Sequence, residues 1–460
     1  MTALRLLARR ASPVLLLAAL AMGAAAAETQ DPSTPDAAEL EKRIQQLTEA
    51  QAQLRAQVKD LQDQNAGAAT PAPTERVPSL WDNLDLWGYG EAYYTHPIND
   101  GGRTEADLVR AVFGIGYRIH ERISFNSEFE VEHAVASASD LGEFEVEQFY
   151  VDFQPIDPLT ITAGLFLMPF GLLNEHHEPT SFYGVQRNFV ETLIIPSTWR
   201  EGGISLHGRT GGGFGFGIGL TTGFNLAKWS FVQEFPPYVT ALDLETSNVA
   251  PLQATHQELS FANASNLSQY LALDFHGIPG LLIGGAGFTG NAVKVPSPPN
   301  AHISGAERVW LGEAHVRYSP GKLDLSALYA AGAITNVASA NAANPGSPNP
   351  IPSAFYGLYV QAAYMVWRRG LFAISPFARW ETYNMGARYE GTAGPTIPHG
   401  LVPVSPSPGD YGHWPKNHDD VWTIGTNVSI TPHVVVKGDY QQFLVNSRFT
   451  RFDLGLGVNF

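Results

Sequence analysis

The sequence predicts an all-β protein: a sixteen-stranded antiparallel transmembrane β-barrel over residues 81–460, preceded by an N-terminal α-helical coiled coil. Three observations predict it. Apolar residues recur at every second position through most of the chain. The connections between these segments alternate between tight turns and long loops. The chain also holds only one long apolar run, which excludes a polytopic helical membrane protein. With 45 Gly and 32 Pro in 460 residues, long helices are disfavoured on composition as well.

At the N-terminus, Arg5, Arg9 and Arg10 precede the apolar run Val14–Met22, and Ala25-Ala26-Ala27 offers an A-x-A cleavage site. Residues 1–27 therefore read as a secretory signal peptide, with a mature chain from Glu28; the run is too short and wrongly flanked for a spanning anchor. From 36 to 65 the composition turns to Glu, Gln, Ala, Leu and Lys, without Gly or Pro. Ile44 and Val58 fall at heptad a positions, and Leu40, Leu47, Leu54 and Leu61 at d. Such a seam implies self-association, the alternative being a solvated single helix. Residues 66–80, including GAATPAPTERVP at 67–78, read as a semi-extended linker.

Beyond Trp81 the period becomes two. In the last segment Phe452, Leu454, Leu456, Val458 and Phe460 alternate with Arg451, Asp453, Gly455, Gly457 and Asn459. Val109 to Tyr117, Ile123 to Val131, Trp310 to Tyr318, Leu323 to Tyr329 and Trp422 to Ile430 behave alike. Sixteen candidate strands of about ten to twelve residues follow, a length suited to crossing a bilayer at a tilt. Every second connection is tight: His120-Glu121, Gln154–Pro158, Thr210–Gly212, Gly277–Gly280, Ser319–Gly321, Arg368–Gly370 and Thr431–His433. The others are long, at about 134–144, 167–201, 224–269, 290–306, 334–355 and 383–420. Short turns on one side and long loops on the other fit a membrane barrel and not a β-sandwich.

Pairing the second and third strands around His120-Glu121 sets Ala111 against Phe129, Ile115 against Phe125 and Tyr117 against Ile123. On the opposite face Arg110 meets Glu130. Apolar side chains outward and charges inward are expected of a barrel with a wet lumen; a secreted β protein with a soluble core would show the reverse. Trp87, Tyr117, Trp310, Tyr318, Trp367, Trp380 and Trp422 are expected in aromatic girdles at the two membrane interfaces.

The charge balance, 28 Lys+Arg against 44 Asp+Glu, excludes a general nucleic-acid binder, which needs clustered cations. Absence of Cys excludes disulfides, Cys-ligated zinc and thiol nucleophiles. No cofactor or metal is expected. Glu175-His176-His177-Glu178 lacks the H-E-x-x-H spacing that sets two imidazoles on one helical face. Ser205 and His207 share a strand face without an assignable third carboxylate, so a hydrolase is not indicated.

A terminal strand ending in Phe, behind a signal peptide, resembles the assembly signal of bacterial outer-membrane proteins. The stretches Pro169–Gly203 (PFGLLNEHHEPTSFYGVQRNFVETLIIPSTWREGG) and Pro251–Gly290 (PLQATHQELSFANASNLSQYLALDFHGIPGLLIGGAGFTG) resemble the phosphate-selective porin O and P family. That resemblance, covering about residue 80 to 460, implies a homotrimer of sixteen-stranded pores in outer-membrane lipid. It also fits a periplasmic coiled coil. It further implies that the third long loop, 167–201, folds inward and narrows the pore, with Glu175, His176, His177, Glu178, Arg187, Glu191, Arg200 and Glu201 as its candidates.

Strand parity assigns Arg110, Glu128, Glu130, Glu132, Asp152, Glu313, His315, Arg317, Arg379, Lys437, Asp439, Arg451 and Asp453 to the lumen. Glu313, His315 and Arg317, on one strand face at period two, read as lumen lining with a self-compensating charge pair. Residues 80–460 carry 20 Lys+Arg against 35 Asp+Glu, and Glu121–Asp157 holds ten acids and one base, Arg122. A phosphate path needs fixed positive charge, so the family's anion preference is not carried over. The expected function is passive diffusion of small polar or ionic solutes, cation-tolerant, with no chemical step. An anion- or phosphate-selective channel is the alternative, and a barrel enzyme a further one.

Overall fold

In a computed structural model of the chain, the described residues are 80–460 except 100, 138–141, 232–248, 293–302, 348 and 393–415, together with scattered positions between Lys42 and Ala56. Two compact units are distinguished, Met1–Pro78 and Ser79–Phe460. In the first, Lys42, Gln45, Gln46, Thr48, Glu49, Ala50, Ala52, Gln53 and Ala56 are helical and exposed. The signal segment, the heptad seam at Leu40, Ile44, Leu47, Leu54, Val58 and Leu61, and nearly all of the linker lie outside the described residues.

The second unit is a closed barrel. Its strands begin with β1 (Leu84–Pro97), β2 (Glu105–His120), β3 (Ile123–Glu132), β4 (Phe144–Ile156) and β5 (Leu159–Leu167). They continue with β6 (Arg200–Arg209), β7 (Phe214–Thr221), β8 (Ser268–Ile278), β9 (Leu281–Asn291), β10 (Arg308–Tyr318) and β11 (Leu323–Thr335). The last five are β12 (Pro352–Tyr364), β13 (Phe372–Tyr389), β14 (His418–Thr431), β15 (Val434–Phe443) and β16 (Arg451–Asn459). Trp367–Arg369 resumes β12 beyond a break and pairs with the start of β13, so the barrel has sixteen staves. Each pairs antiparallel with its chain neighbour, and β16 pairs with β1 from Tyr89↔Asn459 to Pro97↔Arg451. Gly88 and Phe460 exchange both main-chain hydrogen bonds, 2.9 and 3.1 Å, at the closing seam. A Cβ on Gly88 would lie 2.6 Å from the Phe460 ring, so the seam closes only because that side chain is missing.

Tight turns join the strands at all seven expected places, the first of them displaced by one residue. Among the long connections, β13 runs to Tyr389, so the expected loop from 383 starts at 390. The third connection spans 168–199, because Arg200 and Glu201 open β6.

Parity holds around the barrel. Leu454, Leu456 and Ile424 face outward and are exposed, whereas Arg451, Asp453, Glu381 and Glu147 face inward and are buried. That inversion suits apolar surroundings outside and polar ones within. Two expectations are corrected. β2 pairs with β3 as Ala111↔Val131, Ile115↔Ser127, Tyr117↔Phe125 and Arg110↔Glu132, two residues from the expected register. The turn is Glu121-Arg122 rather than His120-Glu121, and a bulge between Arg118 and His120 takes back one residue of that displacement. A shift of two leaves every side chain on its expected face. Trp87 belongs to the lumen face, not a girdle: it pairs with Gly114 and its ring lies over Gly114 and Gly116, where no side chain competes. The other six aromatics face outward, with Trp380 and Trp422 paired at 6.4 Å.

The apolar core lies inside the long-loop end of the barrel. Phe170, Phe189, Leu193, Ile194, Ile195 and Trp199 pack with Phe224, Leu226, Leu252, Phe288, Phe355 and Phe443.

Candidate functional site: the lumen and its inward loop

Loop 168–199 organises itself around a carboxylate. Glu191 accepts from the Leu172 and Leu173 amides at 2.6 and 2.8 Å, from Asn188 at 2.8 Å and from the Tyr359 hydroxyl at 2.9 Å. Burial raises its carboxyl pKa, and those donors oppose the rise. Asn174 ties the stems: its amide donates to the Met168 and Trp199 carbonyls at 2.7 and 2.8 Å. Arg187 donates to Ser197 and Thr198. Glu191 and Arg187 therefore build the loop, a role the sequence did not assign to them.

The loop is then fastened to one side of the barrel. Gly357 lies under Val190 and Ile194, and Gly455 under Val185; side chains there would occupy the same space. The Val185 amide donates to Asp439 at 2.6 Å, and the Phe189 amide donates to Glu381 at 2.9 Å. Arg379 donates to the Tyr183 carbonyl at 3.2 Å, Arg110 to the His177 carbonyl at 2.6 Å, and Arg451 to Gln186. The Lys437 ammonium sits 3.4 Å from the centre of the Phe182 ring. Arg110 also pairs with Glu91 at 2.6 Å, and Arg451 with Asp453 at 3.0 Å.

Arg110, Arg379, Lys437, Asp439, Arg451 and Asp453 thus face inward as expected but lie beneath the loop, none more than 3 % exposed. The Glu313, His315 and Arg317 trio divides, with Glu313 and His315 together and Arg317 apart. His315 contacts Glu313 at 2.9 Å and Asp274 at 3.5 Å, while Arg317 pairs with Asp324 of β11 at 2.6 Å. Only Arg317 takes its partner from the neighbouring strand in place of the residue two positions along.

Opposite the fastened side, a cavity of about 650 Å³ opens along β4–β8. Asp152, Thr162, His207, Arg209 and Asp274 border it from the barrel, with Glu175 and His176 from the loop. Thr162 donates to Asp152 at 2.5 Å. Glu175 reaches the cavity's solvent yet sits within the barrel, and loss of bulk water with Asp274 nearby pushes its carboxyl up to about 7. Of the other loop candidates, Glu178 accepts from Ser181 at 3.0 Å within a turn.

A gap between β4 and β5 explains Arg200 and Glu201. Their pairing begins only at Phe149↔Leu165, so Phe144–Gln148 lacks a β5 partner. Arg200 pairs with Glu145 there and with Glu258 at 2.9 Å. Glu201 is buried, accepting from Thr222 at 2.5 Å and from the Trp199 indole at 3.1 Å.

Glu128, Glu130 and Glu132 face inward; the first two are buried, Glu128 near the loop's His177 and Glu130 beside Glu145 and Glu147. Sequence reasoning missed their companions Tyr89, Glu91, Glu145 and Glu147. The spacing Glu143-x-Glu145-x-Glu147 was a usable signal, but a bulge between Glu128 and Phe129 sets Glu147 against no residue of β3. His177 is buried against Tyr89, and that burial, with Arg187 and Arg110 nearby, holds its imidazole well below the usual histidine range.

Sixteen antiparallel strands closed on themselves, an apolar outer face and a third loop folded inward define the architecture. The barrel is porin-like.

No family model matches the sequence. An uncharacterised protein of Aquifex aeolicus (strain VF5) is 26% identical over 335 residues, covering 70% of this chain and 72% of that protein. Among solved structures, OmpF of Salmonella typhi in complex with daunomycin aligns at 13% identity over 82% of this chain and 97% of its own, TM-score 0.48. The outer membrane channel DcaP of Acinetobacter baumannii aligns at 10% identity, 82% and 97%, TM-score 0.45. An anion-selective porin from Comamonas acidovorans aligns at 10% identity, 82% and 98%, TM-score 0.45.

Proposed function

We propose that this chain is a passive diffusion channel of the bacterial outer membrane, passing small polar solutes and cations through its lumen without a chemical step. The observation that carries this is the division of the lumen. Loop 168–199 is fastened against β2 and β12–β16, and a polar cavity remains along β4–β8. Solutes pass between Glu175 and His176 of the loop and Asp152, Thr162, His207 and Asp274 of the barrel. Three carboxylates border that space against Arg209 and two imidazoles, which favours cations over anions.

The sequence resemblance to phosphate-selective porins supports a porin, and the buried cations argue against its anion preference. Arg110, Arg379, Lys437 and Arg451 are the fixed charges a phosphate path would use, and they are occupied beneath the loop. Export by residues 1–27, a periplasmic coiled coil over 36–65 and a homotrimer complete the proposal.

The test is reversal potential across a planar bilayer under a KCl gradient, using detergent-folded protein. Cation preference supports the proposal. Anion preference restores the phosphate-porin reading, and no conductance overturns the channel.

A further inference from the structure

We propose that the barrel holds a divalent metal ion between β3, β4 and the inward loop, with Glu128, Glu147 and His177 as ligands. One donor atom from each lies within 4.8 Å of the other two, and all three residues are buried. The set combines two carboxylates with one imidazole, which suits Mn²⁺ or Zn²⁺ better than Mg²⁺ or Ca²⁺.

Two features separate this group from an ordinary acidic cluster. The first is an orphaned atom: Glu147 Oε1 is fully buried, accepts no hydrogen bond, and points towards His177 Nε2 at 3.7 Å. The second is the histidine's orientation. Its Nδ1 lies 2.9 Å from the Asn174 carbonyl, which can only accept, so Nδ1 carries the hydrogen and Nε2 faces the carboxylates. Metal-bound histidines are held in this way through their second ring nitrogen. Nε2 is at present 2.6 Å from the Tyr89 hydroxyl, which has Glu147 Oε2 as an alternative acceptor at 3.3 Å. Tyr89 therefore turns to Glu147 when the imidazole takes a metal.

Charge accounting points the same way. Arg110 is engaged by Glu91, and Arg200 by Glu145 and Glu258. Among the described residues, Glu128, Glu130 and Glu147 have no Lys or Arg in ion-pair contact; Glu128 accepts from the neutral Gln148. Buried carboxylates without a compensating cation are costly, and a divalent ion compensates two. Bound there, it would join the loop to β3 and β4.

The experiment strips the full-length, detergent-folded protein with EDTA, then titrates Mn²⁺ by calorimetry and by electron paramagnetic resonance. One Mn²⁺ per chain is expected, with nitrogen coupling from His177. Glu147→Gln and Glu128→Gln should each weaken binding by about tenfold or more, by analogy with losses at supporting positions of known sites. His177→Gln should abolish the nitrogen coupling. Folding of each variant is checked by heat-modifiable gel mobility. Should the variants misfold, the wild-type spectrum decides alone: a bound ion without nitrogen coupling overturns the assignment. No stoichiometric binding of Mn²⁺ or Zn²⁺, or binding that survives Glu147→Gln, overturns it as well.

Discussion

The backbone amide of Val185 donates to the Asp439 carboxylate at 2.6 Å, joining the inward loop to a strand 254 residues later in the chain. It is one of several bonds that decide which half of the lumen stays open. Hydrogen bonds to charged groups contribute about 1.5–3 kcal/mol each, and a buried amide left without its acceptor costs on that scale. Asp439→Ala is therefore expected to loosen the loop without unfolding the barrel. Single-channel records should show larger, noisier conductance, and trypsin should cut at Arg187 sooner than in the parent.

Glu175 sets a pH dependence. Its carboxyl, pushed up to about 7, gains charge as pH rises through that value and loses it below. Negative charge beside the cavity favours cations, so the K⁺/Cl⁻ permeability ratio should increase from about pH 6 to about pH 8. Glu175→Gln should flatten that rise and hold the ratio near its low-pH value throughout. An equally steep rise in the variant would assign the titration to another group.

Gly164 of β5 has φ +136°, and a Cβ there would collide with the Phe149 carbonyl of β4. L-residues avoid that backbone region at a cost of about 1–3 kcal/mol, before any clash is counted. The residue sits where β4 and β5 begin to part, next to the gap that Arg200 spans. Gly164→Ala should lower the yield of heat-modifiable barrel on refolding, while Gly211→Ala, in an open turn, should not.

Much of the barrel was legible because a membrane strand writes its two environments into alternate residues. Leu454 and Asp453 announce their faces directly, and turn length announces the sides. What the alternation cannot show is a local insertion. The turn at Glu121-Arg122 and the bulge at Ile119 together moved one pairing by two, and the bulge at Glu147 hid an inward acid. Trp87 was misplaced because aromatic type suggests an interface, whereas the empty positions at Gly114 and Gly116 decided its direction.

The site was less legible than the fold. Inward charges such as Lys437 and Arg451 were found by parity, but nothing in a strand's own sequence tells whether an inward charge meets water or a folded loop. That depends on pairings such as Arg379 with Tyr183 and Glu381 with Phe189, set by tertiary distance rather than spacing. Glu191 likewise reads as a loop charge in sequence and proves to be the loop's internal anchor.

The central claim is a water-filled path along β4–β8, and Thr162 borders it. Since the chain has no native Cys, Thr162→Cys places a single thiol there. Current through this variant in a planar bilayer, recorded before and after a positively charged, water-soluble thiol reagent, is the most direct measurement. The account predicts a stepwise fall in conductance and a loss of cation preference after modification. Conductance that is absent beforehand, or unchanged once labelling is confirmed by mass, would contradict it.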